Sequence, residues 1–132
     1  MASKSFLIVG GGLVGAELAG DDAYHSKKSE SKVTLIHSGP FLCPDTDEQA
    51  GKMIQGQLKK SGVQVILNTR AEKKSEGAFK CGDEEVKADR VIMTVGLQPN
   101  NSFVKADACD EKGWVDADIN LRVKGYNGRV FA

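Results

Sequence analysis

The 132-residue sequence lacks several features that would assign it to common classes of protein. Its 18 basic and 18 acidic residues cancel, so its charge gives no argument for binding nucleic acid or an anionic membrane surface. No apolar run approaches the roughly 18 residues that a membrane-spanning helix needs. The apolar run 6–9 after Lys4 is too short for a signal peptide, because glycines interrupt it, and we expect an intracellular protein.

Cysteine is scarce, and its spacing is uninformative for metal chemistry. Cys43, Cys81 and Cys109 are the three cysteines, and no two of them form a Cys-x-x-Cys pair. Such spacing argues against a zinc site and against a dithiol redox pair. Three widely spaced thiols fit a reducing compartment. No Ser/His/Asp set and no paired carboxylates stand out, so we predict no catalytic residue and no metal ligand.

A glycine-rich stretch, residues 10–15, follows the apolar run 5–9 and opens onto a helical pattern. Gly10, Gly12 and Gly15 have the G-x-G-x-x-G spacing of a dinucleotide-binding turn. Gly10 permits a sharp turn after the strand, Gly12 leaves room for a pyrophosphate, and Gly15 lets the helix approach the strand. Phosphates then lie at the helix N-terminus. We therefore predict that a nucleotide is bound by Gly10, Gly11, Gly12, Leu13, Val14 and Gly15.

The apolar pattern alternates between strands and helices up to Gly96. It predicts strands at about 5–9, 32–37, 63–67 and 90–95, and helices at about 12–24 and 47–61. The charged, glycine-broken stretch after residue 69 predicts two or three short antiparallel strands, at about 70–74, 78–81 and 84–87. Alternating strands and helices indicate a parallel sheet with right-handed crossovers. We predict an α/β fold, a three-layer Rossmann-like domain with a central parallel sheet and a small antiparallel meander.

The first helix and the last parallel strand carry more specific expectations. Val14, Leu18 and Ala19 share the helix face that we expect to pack on the sheet. The polar connection at 26–31 is charged enough for a mobile or disordered loop. The apolar run within 90–95 is typical of a central parallel strand.

The second helix is predicted from its caps and its apolar stripe. Asp45 or Thr46 can cap its N-terminus, and Gly62 is well placed to end it. Gly51 and Gly56 should each weaken it by about 1 kcal/mol relative to alanine. Its apolar stripe, with a methionine interpreted as a core residue, comprises Ala50, Met53, Ile54 and Leu58.

The pattern changes after Gly96 and no longer alternates. Turns are expected at 97–101 and 112–113, and short extended segments at 114–116, 121–123 and 129–131. We therefore divide the chain into a Rossmann-like domain, residues 1–96, and a short-stranded C-terminal tail, residues 97–132.

The end of the second strand is where a Rossmann site usually distinguishes its dinucleotides. Residues 35–38 read Leu-Ile-His-Ser, with neither a carboxylate for a ribose 2′-hydroxyl nor an arginine for a 2′-phosphate. The sequence therefore predicts neither a strict NAD nor a strict NADP preference. His37 could neighbour an adenosine 2′-phosphate or merely end the strand, and Ser38 could hydrogen-bond either sugar. Glu17 suits the helix dipole, and the residues alone suggest a solvated side chain.

Three motifs, in order, resemble a known family. Residues 7–19 resemble the second glycine fingerprint of the FAD- and NAD(P)H-dependent pyridine nucleotide-disulfide oxidoreductases. Residues 32–40 resemble the second strand of the branch containing apoptosis-inducing-factor-like and ferroptosis-suppressor-like proteins. Residues 94–100 resemble the family's second signature, and 113–132 resemble the run that leads into its last flavin motif. The resemblance covers nearly the whole chain.

This resemblance implies the inserted NAD(P)H-binding domain of a flavoenzyme that passes hydride from the nicotinamide to FAD. It places Glu17 near the nicotinamide and Gly96 in the cofactor cleft, with Val95 beside it. The family's first flavin fingerprint and its final Gly-Asp have no counterpart here, so FAD is not expected in this chain, and the chain alone is expected to be inactive. The tail would belong to the missing flavin domain, and alone would be loosely packed or pair with a second copy.

Three functions stay open on the sequence. The first is a fragment of a flavin-dependent oxidoreductase that binds a nicotinamide dinucleotide and partners the missing flavin domain. The second is an autonomous nucleotide-binding or sensor module without redox turnover. The third is a structural fragment that binds nothing, because half of its cleft comes from a neighbouring domain.

Overall fold

A computed structural model of the protein describes residues 4–26 and 31–132, so the predicted mobile loop falls largely outside the described residues. The chain separates into two compact units, the first ending at Val95 and the second spanning Gly96–Ala132. The elements of the first unit are β1 (Ser5–Val9), α1 (Leu13–Ser26), β2 (Lys32–Ile36), α2 (Glu48–Lys60), β3 (Gln64–Ile66), β4 (Ala71–Ser75), β5 (Ala78–Cys81), β6 (Glu84–Lys87) and β7 (Arg90–Met93).

The first unit has three layers built around a four-stranded parallel sheet of order β3-β2-β1-β7. Successive side chains of a strand point to opposite faces. Ile8 therefore packs with Leu35 toward the helices, in a cluster that includes Leu58 of α2. Leu7 and Phe79 pack on the other face, which the antiparallel meander β4-β5-β6 covers. The predicted three-layer Rossmann-like α/β fold is confirmed.

Two expectations for the sheet and its first helix were wrong. β7 pairs only with β1 among the described strands, so it lies at the edge of the sheet, and Met93 is about half exposed. Val14 is 60% exposed and does not pack on the sheet. The buried face of α1 is formed by small residues, because they let the helix approach the strands closely: Gly15, Ala16, Ala19 and Ala23.

Helix α2 begins at Glu48, one residue later than predicted, and neither Asp45 nor Thr46 is its N-cap. Asp47 is the N-cap, and its carboxylate accepts a hydrogen bond from the backbone N–H of Ala50 at 2.8 Å. The Thr46 hydroxyl instead donates to the carbonyl of Cys43 at 2.7 Å, in the preceding loop. Gly62 follows the helix with φ +95°, as predicted for a residue that ends it.

The apolar stripe of α2 was predicted only in part. Leu58 is buried and Ile54 packs against the core, but Met53 is 70% exposed and is not a core residue. Gly51, which was not assigned to the stripe, is buried. A Cβ at Gly51 would overlap the carbonyl oxygen of Leu42, so the helix touches the preceding loop through bare backbone.

The second unit contains a 3-10 turn at Ala106–Ala108 and isolated antiparallel bridges. Three pairs join the short extended segments: Cys109 with Val115, Ala117 with Val123, and Arg122 with Phe131. Ala108 and Val123 are buried, whereas Leu97, Phe103 and Ile119 are each at least 85% exposed. The prediction that this segment is loosely packed or pairs with a second copy stays a prediction.

Neither described helix has the length and apolar character that crossing a bilayer requires. Within residues 4–26 and 31–132, no group of three or more acidic, histidine or cysteine side chains is arranged to hold a metal ion.

Candidate functional site

A cleft of about 510 Å³ opens at the carboxyl ends of the parallel strands of the first unit. The carboxyl ends of parallel strands lie on one side of the sheet, and open α/β sheets bind ligands beyond these ends. The cleft brings together six residues that the sequence predicted for the site: Gly10, Gly11, Gly12, His37, Ser38 and Val95.

The glycine turn is held on its inner side by Thr94, at the end of β7. The Thr94 hydroxyl donates to the Gly10 carbonyl at 2.8 Å, and the Thr94 N–H donates to the Val9 carbonyl at 2.8 Å. Gly10 has φ +113°, and a Cβ there would lie 2.6 Å from the Thr94 carbonyl oxygen. A Cβ at Gly15 would overlap the Gly10 carbonyl oxygen. Both positions therefore need glycine for the turn itself.

Gly11 is fixed by the loop that follows β2. Its N–H donates to Nδ1 of His37 at 3.1 Å, and its carbonyl accepts from the N–H of Cys43 at 2.7 Å. A Cβ at Gly11 would lie 2.6 Å from Leu42 Cδ2 and 2.7 Å from His37 Cβ. The middle of the turn thus rests directly on residues after β2, and a side chain there would lift it away.

The imidazole of His37 supports the turn. Burial lowers the pKa of His37, which favours the neutral ring that can accept a hydrogen bond at Nδ1. A neutral ring accepting at Nδ1 carries its proton on Nε2. That Nε2 is buried and has no hydrogen-bond partner among the described residues. Both ring nitrogens therefore face the protein, and the suggested contact of His37 with an adenosine phosphate stays a prediction.

Gly12 differs from the other three glycines of the turn. A Cβ built on Gly12 would meet no atom within 4 Å, and its backbone does not have a positive φ. The fold therefore gives no internal reason for glycine at this position. Leu13 and Val14 follow it as the first residues of α1 and are 51% and 60% exposed. The outer side of the turn is bare backbone beside a helix N-terminus.

The remaining predicted residues lie in different places. Ser38 and Val95 line the cleft and are exposed. Glu17 is exposed on α1 and does not line the cleft. Its charge adds to burial and to Asp45 in raising the pKa of the Cys43 thiol. Gly96 begins the second unit.

Sequence reasoning missed several residues that line the cleft, among them Thr69 and Arg70. The N–H of Thr69 donates to the His37 carbonyl at 3.1 Å, and the N–H of Asn68 donates to the Gly39 carbonyl at 3.0 Å. These bonds join the segments that follow β2 and β3. The signal was available, because residues that follow neighbouring parallel strands meet at one edge of the sheet.

A parallel sheet between two helices and a meander, with a glycine turn entering the first helix, defines a Rossmann-like domain. The chain belongs to the pyridine nucleotide-disulphide oxidoreductase family, whose sequence model matches residues 1–132. This confirms the family predicted from the motifs.

Relatives agree with this assignment. The chain is 35% identical over 138 residues to an oxidoreductase, ptaL, of Pestalotiopsis fici, covering 99% of this chain and 36% of that protein. It is 32% identical over 146 residues to apoptosis-inducing factor 1 of Saccharomyces cerevisiae, covering 96% and 37%. The predicted apoptosis-inducing-factor-like branch is thus confirmed. The chain spans a little over a third of the length of these two relatives.

A solved structure shows the same architecture. The copper(II) complex of the HOCl-induced flavoprotein disulfide reductase RclA from Escherichia coli superimposes with a TM-score of 0.75 at 26% identity. The match covers 94% of this chain and 29% of that chain.

Proposed function

We propose that the cleft binds a nicotinamide dinucleotide, with the pyrophosphate against Gly12 and the N-terminus of α1. The observation that carries this proposal is the empty space at Gly12. Gly10, Gly11 and Gly15 are each required by contacts inside the protein, whereas the missing side chain at Gly12 leaves room only on the ligand side. The first amides of a helix lack intrahelical acceptors and favour an anion.

The dinucleotide, when bound, supplies the hydride that this family transfers, and we propose that the acceptor in the whole protein is FAD. Membership of a pyridine nucleotide family and similarity to a flavoprotein disulfide reductase support this. The residues of this chain would bind and orient the donor. Ser38 and Val95 line the same cleft as the glycine turn, which makes Ser38 a candidate for the adenosine ribose and Val95 a candidate for the nicotinamide end. Glu17 and Gly96 stay candidates from the family resemblance.

Titration of the chain with NADH and NADPH, followed by calorimetry or by nicotinamide fluorescence, tests the proposal. We expect saturable binding by the wild type and none by Gly12→Val, because the side chain would occupy the space of the pyrophosphate. Gly56→Val is the matched control, since a Cβ at Gly56 also meets nothing within 4 Å but lies on α2. No saturable binding of either nucleotide up to millimolar concentration, or unchanged binding by Gly12→Val, would refute the proposal.

We also propose that residues Gly96–Ala132 form part of a flavin domain in the whole protein. Large apolar side chains of this unit are exposed, including Leu97, Phe103 and Ile119. Without that domain we expect the unit to be sensitive to protease or to associate with a second copy. Sedimentation with limited proteolysis tests this, and a clean monomer with a resistant C-terminal segment would contradict it.

A further inference from the structure

Arg70 stands out as the one charged side chain among the residues that line the cleft of the first unit, as far as the structure describes it. It follows Thr69, whose backbone N–H is bonded to the carbonyl of His37. Ser38 comes directly after His37, on the other side of this backbone pair. Arg70 and Ser38 therefore lie at the same edge of the cleft, beyond β3 and β2, although 31 other residues separate them in the sequence.

The guanidinium of Arg70 has no carboxylate partner among the described residues. Within residues 4–26 and 31–132, no carboxylate lies within ion-pair distance of it. The acidic residue next along the chain, Glu72, lies directly opposite Lys80 in the pairing of β4 with β5. The hydroxyl of the neighbouring Thr69 already has an acceptor, because it donates to the Leu67 carbonyl at 3.0 Å. Arg70 is thus an exposed cation that forms no ion pair with the described residues.

The cleft has no acidic counterpart to this cation. None of its lining residues is an aspartate or a glutamate, so no carboxylate is available to accept from a ribose 2′-hydroxyl. His37 is kept neutral and bonded to the turn, and it adds no positive charge. The electrostatic character of this end of the cleft is therefore set by Arg70.

We infer that Arg70 determines which dinucleotide the cleft prefers, by binding the 2′-phosphate of NADPH at the edge that Ser38 shares. The inference rests on the proposed nucleotide binding. A guanidinium presents a planar set of donors that matches a phosphate bidentately, and a charge-assisted pair of this kind is stronger than a neutral hydrogen bond. A 2′-hydroxyl in the same place would gain no comparable contact.

Two fragments of the dinucleotides isolate this contact, ADP-ribose and 2′-phospho-ADP-ribose, because they share the adenosine and the pyrophosphate. We expect the full chain to bind the 2′-phosphorylated fragment about tenfold tighter or more. Arg70→Gln should bring the two dissociation constants to within about twofold while leaving that of ADP-ribose unchanged. Arg70→Lys should retain part of the difference, because it keeps the charge and loses the bidentate geometry.

Arg90→Gln is the matched control. It removes the same charge at the amino end of β7, and the cleft lies at the carboxyl ends of the strands. It should therefore preserve the full difference between the dissociation constants of the two fragments. Equal affinities in the wild type would overturn the inference and leave the proposed function standing, since ADP-ribose would still bind. Arg70→Gln weakening both fragments alike would overturn it too, because Arg70 would then contact a shared group. Binding of neither fragment would refute the proposed function, and the inference with it.

Discussion

Substituting Gly51 by alanine tests the contact by which α2 holds the loop beneath the glycine turn. Propensity alone predicts a gain of about 1 kcal/mol from alanine inside a helix. The structure predicts a loss, because a Cβ at Gly51 would overlap the Leu42 carbonyl oxygen and lie 2.8 Å from Phe41 Cδ2. Overpacking of this kind costs about 1–3 kcal/mol, so we expect a net destabilisation of about 1 kcal/mol.

Gly56→Ala provides the matched comparison on the same helix. Nothing lies within 4 Å of a Cβ there, so the propensity gain of about 1 kcal/mol should appear undiminished. Urea unfolding followed by circular dichroism at 222 nm reports the first unit, since both α-helices lie in it. With a slope of about 2 kcal/mol per molar urea, the two midpoints should move in opposite directions by about 0.5 M each. Stabilisation by both variants would show that Leu42 does not hold α2 by its backbone.

Three further changes have expected outcomes. Burial lowers the pKa of His37 in the folded state, so its contribution to stability is present above about pH 6.5 and is lost as the pH falls toward the folded pKa. Urea midpoints measured between about pH 7.5 and pH 5.5 should show this loss in the wild type and not in His37→Gln. Thr94→Val removes the hydroxyl that bonds the Gly10 carbonyl and should cost about 1 kcal/mol in the same assay. Asp47→Ala should also cost about 1 kcal/mol, because it removes the N-cap of α2, whereas Asp45→Ala should change stability by less than about 0.5 kcal/mol. A larger loss of stability in Asp45→Ala than in Asp47→Ala would contradict the observed cap.

Most of the fold could be predicted because the buried strands are continuous apolar runs in the sequence. Strand β1 was predicted over the residues where it occurs, and its core residues Leu7 and Ile8 are fully buried. The meander was predicted within one residue, since Gly77 and Gly82 mark its turns and both have positive φ. Periodicity was less reliable on the helices. On α2 it selected Met53, which is exposed, and it omitted Gly51, which is buried against the preceding loop and has no apolar side chain to reveal it.

The site was less predictable than the fold. The glycine spacing indicated the turn, but its supports Thr94 and His37 are identified only when β7 and β2 are placed beside β1. Arg70 was missed because the dinucleotide preference was sought only after β2. Its position follows from the pairing of β3 with β2, which the predicted parallel sheet implied although the residues around Arg70 do not show it.

The glycine turn looks like the most local motif of the chain, yet its shape depends on distant residues. The bond from Thr94 to Gly10 spans 84 positions, and the bond from Gly11 to His37 spans 26. Forming them requires the closure of long loops, which costs conformational entropy that only the assembled sheet offsets. A peptide of residues 5–26 would carry every glycine of the fingerprint and none of these supports. We therefore expect it to be unfolded and to bind no dinucleotide, so the turn is a property of the assembled sheet.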